Sequence, residues 1–259
     1  MGNNVQPASS NCSSASSAMT PFSRKLKVST VEDMISVFDT YGACIVDTDC
    51  CQQDLDLVER WMFDNLAIAR SSGDGRWSLT NNTNRMLPVF QPLLESQAIA
   101  FWIRSLIAYS LAGWMGPHRD FLVTRVGGDM VERFVESFQG LYSDDNGYDL
   151  NSMSRGISMC VSVAPRLIHP AFAPIRLIPW NVMTKQPYPD GLHDASLQHD
   201  WYVTMQAGEM LIRDSRVCHS GTPNLTEYWR CLPGFQVLTP QYQEYYASWD
   251  DYRASWDAQ

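Results

Sequence analysis

Ala207-Gly208-Glu209-Met210-Leu211-Ile212-Arg213-Asp214-Ser215-Arg216-Val217-Cys218-His219-Ser220-Gly221-Thr222-Pro223-Asn224 decides the fold, together with Arg230 and the apolar run Phe235-Gln236-Val237-Leu238 beyond it. Ala207-Gly208 reads as a turn between two strand-like runs, Trp201 to Met205 and Glu209 to Asp214, which are expected to pair with each other. On a regular pleat Arg230 shares one face with Tyr228 and Leu232, and Trp229 shares the other with Cys231, so both faces are expected to be at least partly covered. A planar guanidinium in that setting can grip a carboxylate through two parallel charge-assisted hydrogen bonds. The plain alternative is an arginine on a solvated strand face.

In motif order and spacing these residues resemble the last two core strands of an iron(II)/2-oxoglutarate oxygenase. The resemblance is to the phytanoyl-CoA hydroxylase-like family, in its fungal natural-product form. In that family a G-(D/E)-x-L-(I/F)-x-D-S-x-x-x-H-x-G-x-x-N segment carries the distal iron-binding histidine. An arginine about eleven residues further on holds the far carboxylate of 2-oxoglutarate, and His219 and Arg230 stand at that separation. The resemblance implies a mainly β fold with flanking α-helices, a double-stranded β-helix (jelly roll, cupin-like). It also implies Fe(II) and 2-oxoglutarate as cofactors, with His219 a metal ligand and Arg230 a cosubstrate-binding residue. Two histidines and one carboxylate on one face of such a metal leave the other face for cosubstrate and O2.

The other half of the iron site departs from the family. Its His-x-Asp pair, with a glutamine three residues ahead of the histidine, corresponds here to Phe138-Gln139-Gly140-Leu141-Tyr142-Ser143-Asp144-Asp145, leading into the strand-like Gly156 to Val163. By the resemblance Gln139 is cosubstrate-binding and Asp144 a metal ligand, while Tyr142 stands where the first histidine belongs. A phenol ionises near pH ~10 when unperturbed. As a phenolate it would add negative charge beside Asp144 and a dianionic cosubstrate, so iron binding is expected to be weak or lost. A literal His118-Arg119-Asp120 follows the turn signal Gly116-Pro117 and precedes the strand-like Phe121 to Val126, one element early for the metal motif. His193 and His199 offer a second rescue that needs a specific loop fold.

Composition bounds the rest. The chain has 259 residues, 45% hydrophobic, enough for one substantial core. A net charge of -9 argues against nucleic acid or an anionic membrane as partner. Seven cysteines without a C-x-x-C pair or zinc spacing read as reduced thiols of a cytoplasmic protein. Residues 1–28 are expected to form a disordered tail, its first twenty uncharged and rich in Ser and Asn, and 29–259 a single domain. Neither a signal-peptide core nor a myristoylation pattern is present, and Ala98 to Trp114, broken by Arg104, reads as a core-packing helix.

Ser29-Thr30-Val31-Glu32 makes a capping-box pattern ahead of a helix over Val31 to Tyr41, with Met34, Ile35, Phe38 and Tyr41 on one face and Gly42 ending it. A buried strand over Ala43 to Val46 and a helix over Gln52 to Asn65 follow. The polar stretch Ser71 to Asn84 reads as a loop; in the family such a loop closes over the site, which makes Asn84 and Arg85 candidate substrate-binding residues. The segment from Tyr242 to Trp256 interleaves aromatics with acids and is suited to docking on its own domain or another subunit.

The resemblance implies an oxidative step (hydroxylation, desaturation or rearrangement) in specialised metabolism such as terpenoid or meroterpenoid biosynthesis, on a small hydrophobic metabolite. Two alternatives follow from the missing ligand. One is a pseudoenzyme subunit that forms a heterodimer with an active paralogous oxygenase; a homodimer is the other assembly considered. The second is an iron-free isomerase or cyclase that uses the pocket, with Tyr142 and His219 as acid and base.

Overall fold

The computed structural model describes residues 19–66, 70–71, 73–78, 93, 95–110, 122–144, 158–180 and 201–238. Its first element, helix α1 (Pro21–Leu26), lies inside the stretch expected to be tail. Thr20 caps it by accepting from the Ser23 N–H, Pro21 opens it, and Phe22 and Leu26 are buried, so packing begins before residue 29. Helix α2 (Val31–Tyr41) has the expected bounds. Its cap is Thr30, which accepts from Asp33 N at 3.1 Å, one residue later than the Ser29 box, and Gly42 ends it at φ 72°. Strand β1 (Ala43–Asp47) and helix α3 (Gln52–Asp64) follow as the pattern predicts.

The polar stretch expected as a loop from Ser71 shares its first residue with a short strand, β2 (Arg70–Ser71), and contains a second, β3 (Arg76–Ser78), with Gly73 and Gly75 between them at φ of 84° and 80°. Helix α4 (Gln97–Ser110) covers most of the expected core helix. Then come β4 (Leu122–Val131), β5 (Ser158–Val163), β6 (Ile175–Leu177), β7 (Tyr202–Val203), β8 (Glu209–Asp214), β9 (His219–Gly221) and β10 (Arg230–Leu238). They form a seven-stranded sheet in the order β1-β8-β5-β10-β4-β3-β2 and a three-stranded sheet in the order β7-β6-β9. All pairings are antiparallel, as in a jelly roll of two facing sheets.

The runs on either side of Ala207-Gly208 do not pair with each other. β7 pairs with β6 in the small sheet, while β8 lies between β1 and β5 in the large one. Gly208, at φ 84°, lets the chain turn from one sheet into the other.

Period-2 alternation then sorts the large sheet's side chains into two cores. Met210 and Ile212 of β8, Met159, Val161 and Val163 of β5, and Cys231, Phe235 and Val237 of β10 pack with Met34, Phe38, Leu55, Val58, Met62, Ile99 and Ile103 of the helices. Leu211 and Leu232 point the other way and join Ile175, Leu177 and Val203 of the small sheet. Each fully buried aliphatic side chain contributes about 1.5–3 kcal/mol. No described helix is long and apolar enough to cross a membrane.

Gly42 ties this scaffold to the site strand, because its carbonyl accepts from the Asp214 N–H at 2.9 Å. A Cβ there would meet Val217 Cγ2 at 2.4 Å and the Trp180 ring at 2.8 Å, at a φ that disfavours side chains. Gly42→Ala is therefore expected to lower unfolding free energy by about 2–4 kcal/mol, combining the left-handed backbone cost with overpacking. Urea unfolding checks this; a loss within about 0.5 kcal/mol, the size of an ordinary surface change, would contradict it.

Candidate functional site

The inner face of the large sheet and the small sheet enclose a cavity of about 420 Å³. Two rows of paired residues cross its sheet wall. In the first, Arg76 of β3 and Arg230 of β10 both register with Val131 of β4, so two guanidiniums flank one valine. In the second, Cys160 of β5 registers with Arg213 of β8 on one side and Gln236 of β10 on the other. Asp129 lies one pleat beyond Val131 on β4, and the opposite wall carries His219, Ser220 and Gly221 of β9.

The segment 139–144 lies antiparallel against β9. Gln139 N donates to the Gly221 carbonyl at 2.9 Å, and Gly221 N returns to Gln139 Oε1 at 3.0 Å. Tyr142 and His219 exchange both backbone hydrogen bonds, at 3.0 and 2.8 Å, and Asp144 N donates to the Ser215 carbonyl at 2.9 Å. Tyr142 thus sits directly opposite His219, with ring centroids 4.2 Å apart. Gln139, Tyr142, Asp144, His219 and Arg230, singled out from sequence, all line the one cavity. Asn84, Arg85, His118, Asp120, His193, His199 and the segment from Tyr242 to Trp256 lie outside the described residues.

Sequence reasoning missed the residue at the centre. Arg213 Nη2 donates to Asp144 Oδ2 at 2.6 Å, and Arg213 Nη1 lies 3.4 Å from His219 Nδ1. His219 Nδ1 is 3.0 Å from the Val217 carbonyl, which can only accept, so that nitrogen carries the ring proton and the Arg213 approach is a contact. Nε2 then presents its lone pair. It lies 3.7 Å from Asp144 Oδ2 and has no hydrogen-bond partner among the described residues. The signal available was Arg213 itself, a cation ending the apolar run Met210-Leu211-Ile212 and sharing the inward pleat with Leu211.

The electrostatics follow from this clasp. Burial alone would raise the Asp144 pKa, but Arg213, then His219, outweigh it and hold the carboxyl well below the usual carboxylate range. Burial would make Arg213 easier to deprotonate; its ionisable neighbours, with Asp144 the one charged at neutral pH, reverse this and keep its guanidinium firmly charged. Burial, then Arg213, push the His219 pKa down to about 4. Burial, then Asp129 and Asp144, raise the Tyr142 phenol well above its ordinary range, although the residue as a whole is 38% exposed.

Arg230 is buried and donates from Nη1 to the Asp129 carbonyl at 3.1 Å; its Nε has no partner among the described residues. Burial lowers its pKa. Arg76, by contrast, is paired with Asp74 at 2.6 Å and also donates to the Ser137 carbonyl.

These residues do not fit iron(II). The carboxylate oxygen nearest His219 already accepts from Arg213 at 2.6 Å and from Cys160 Sγ at 3.2 Å. A divalent ion bridging Asp144 and His219 would lie against a fixed guanidinium. The third position is a protonated phenol, and no set of three His, Cys, Asp or Glu side chains suited to a metal occurs among the described residues.

No family model matches the chain, and no curated protein is similar to it in sequence. Several solved structures share its fold. The epimerase SnoN, in complex with Fe3+, alpha ketoglutarate and nogalamycin RO, superposes with TM-score 0.58 at 15% identity, over 81% of this chain and 83% of that one. The alpha ketoglutarate dependent carbocyclase SnoK from nogalamycin biosynthesis gives TM-score 0.54 at 13% identity, over 82% and 86%. AviO1 from Streptomyces viridochromogenes Tue57 gives 0.53 at 15%, over 82% and 97%. The chain thus has the double-stranded β-helix fold of enzymes that include alpha ketoglutarate dependent members from natural-product biosynthesis. At these identities the likeness is one of fold.

The His219 environment predicts an acid-side loss of stability. Its folded pKa, about 4, lies below the ordinary 6.5, so the unfolded chain binds more protons between those values. Stability is unaffected above about pH 6.5 and falls as pH drops toward the folded value. The slope of unfolding free energy against pH in that window should be smaller in His219→Asn, by up to about one proton. Urea unfolding across the window reads this, and equal slopes in both proteins would contradict it.

Proposed function

We propose that this chain uses its inter-sheet cavity without iron, as an isomerase or cyclase acting by proton transfer on a carboxylate-bearing small molecule of specialised metabolism. The observation that carries the reading is the Asp144–Arg213 ion pair at 2.6 Å. It engages the carboxylate an iron would need and leaves His219 Nε2, 3.7 Å from Asp144 and without a hydrogen-bond partner among the described residues, in the cavity wall. An oxidative step by this subunit would require a complete iron site. The donor set supports instead the role in which the inherited pocket does acid–base chemistry.

Arg230 is the residue suited to hold the substrate carboxylate, since it is a buried cation for which no ion pair occurs among the described residues. His219, neutral at physiological pH, accepts a proton at Nε2 from an acidic C–H or O–H of the bound molecule. Tyr142, opposite it and held protonated, donates its phenol proton to the oxygen or carbon on which negative charge develops. The phenolate then recovers a proton from His219 or solvent, which closes the cycle with no net oxidation. The Asp144–Arg213 pair keeps the imidazole beside two fixed, mutually compensating charges.

2-Oxoglutarate, a dicarboxylate with an acidic C–H beside its ketone, is the probe for this reading. Protein treated with EDTA is expected to bind it, to lose binding in Arg230→Met, and to catalyse deuterium exchange from D2O at the carbon beside the ketone. His219→Ala should slow that exchange by about 10²–10⁴-fold, the usual contribution of a positioned base. Iron-dependent conversion of the probe to succinate, with no metal-free binding, would overturn the proposal.

A further inference from the structure

We infer that Arg213, rather than the loss of a histidine at Tyr142, is the residue that bars a divalent metal from this cavity, its guanidinium serving as the fixed resident cation of the Asp144–His219 pair. The inference concerns the metal alone and does not depend on the reaction assigned above.

The geometry distinguishes the two substitutions. Tyr142 sits at the cavity rim, 38% exposed, and its backbone pairs with His219 through both hydrogen bonds. A histidine at that position would add an imidazole without moving anything else. Arg213 is different in kind, because it is buried, anchored on the interior strand β8 between β1 and β5, and bonded to the carboxylate oxygen that lies closest to His219 Nε2. With Arg213 in place, a divalent ion between those two donors would have a full positive charge adjacent to it and would have to displace a 2.6 Å charge-assisted hydrogen bond.

Strand alternation fixes the direction of the side chain. Ile212 and Met210 point into the helix-facing core, so residue 213 has nowhere to point but the cavity. The cavity wall next to it is Cys160, its registered neighbour, whose Sγ donates to the same Asp144 oxygen at 3.2 Å. Arg213 and Cys160 together saturate that oxygen, which is why restoring a third ligand elsewhere leaves the ion no better served.

The test is a titration with manganese(II) alone, followed by electron paramagnetic resonance of the free ion, on the full chain and four variants. Wild type and Tyr142→His are expected to bind equally weakly. The pair Tyr142→His with Arg213→Met, which keeps bulk and removes charge, is expected to bind one ion per chain on the order of a hundredfold more tightly. Tyr142→His with Arg213→Lys keeps the charge and should stay weak, which separates charge from shape. Asp144→Ala in the wild-type background should leave the weak manganese(II) binding unmoved.

Stoichiometric binding by wild type that Asp144→Ala abolishes, or stoichiometric binding by Tyr142→His alone, would overturn the inference. So would a folded Arg213→Met pair that binds no better than Tyr142→His. If the Arg213→Met pair does not fold, the comparison of wild type, Tyr142→His and the Arg213→Lys pair still decides it, since tight binding by any of them contradicts the claim. Failure here would leave carboxylate binding at Arg230 standing, and failure of that binding would leave this result standing.

Discussion

The ion pair between Asp144 and Arg213 is the constraint around which the site is organised. Arg213 is buried and the Asp144 side chain is 23% exposed, and the two stabilise each other's charge: Arg213 holds the Asp144 carboxyl ionised, and Asp144 helps hold the guanidinium protonated. The loss of either partner would leave an uncompensated charge in a desolvated setting, which is far more costly than the pair is stabilising. His219 takes its own state from the same pair, pushed neutral by burial and then by Arg213. One arginine therefore sets the charge of the carboxylate and contributes to the tautomeric environment of the imidazole beside it.

The fold makes this pair possible. β8 is buried along its whole length between β1 and β5, with apolar residues alternating into the helix layer and into the inter-sheet core. A cation at its end can be held in one position because neighbours on both sides hold the backbone. The segment 139–144 is fixed just as firmly by its backbone bonds to Gly221, His219 and Ser215, which bring Asp144 up to the arginine. At the other end of the cavity Arg76 and Arg230 share a row with Val131, so the cavity has a paired cation at its centre and a second, less compensated one on its floor. The whole chain is acidic, at -9, which makes this interior concentration of arginine a local feature of the pocket.

Much of this was legible in the sequence, for identifiable reasons. The bounds of helix α2 and its glycine stop, the strand β1 and the alternation of β10 follow from local patterns that the packed structure satisfies. The resemblance to the oxygenase family implied a shared site for Tyr142, Asp144, His219 and Arg230, and all four line one cavity. The turn signal at Ala207-Gly208 says that the chain reverses and not which sheet it enters, and β7 and β8 join different sheets. The hairpin of β2 and β3 is not legible in the sequence, because two- and three-residue strands leave no periodicity to detect. Helix α1 lies in a stretch whose composition points to a tail, although Thr20-Pro21 carries a helix-start signal. Arg213 was hidden for a different reason: a single charge at a strand end normally reads as solvated, and only the approach of segment 139–144 turns it into a buried partner.

A crystal structure of the full chain, grown in excess manganese(II) and 2-oxoglutarate and measured for anomalous scattering, tests the account most directly. The predicted result is no anomalous peak between Asp144 and His219, with the Arg213 guanidinium hydrogen-bonded to the Asp144 carboxylate. A peak within coordination distance of Asp144 and His219, about 2.0–2.3 Å, with Arg213 swung away, would contradict it.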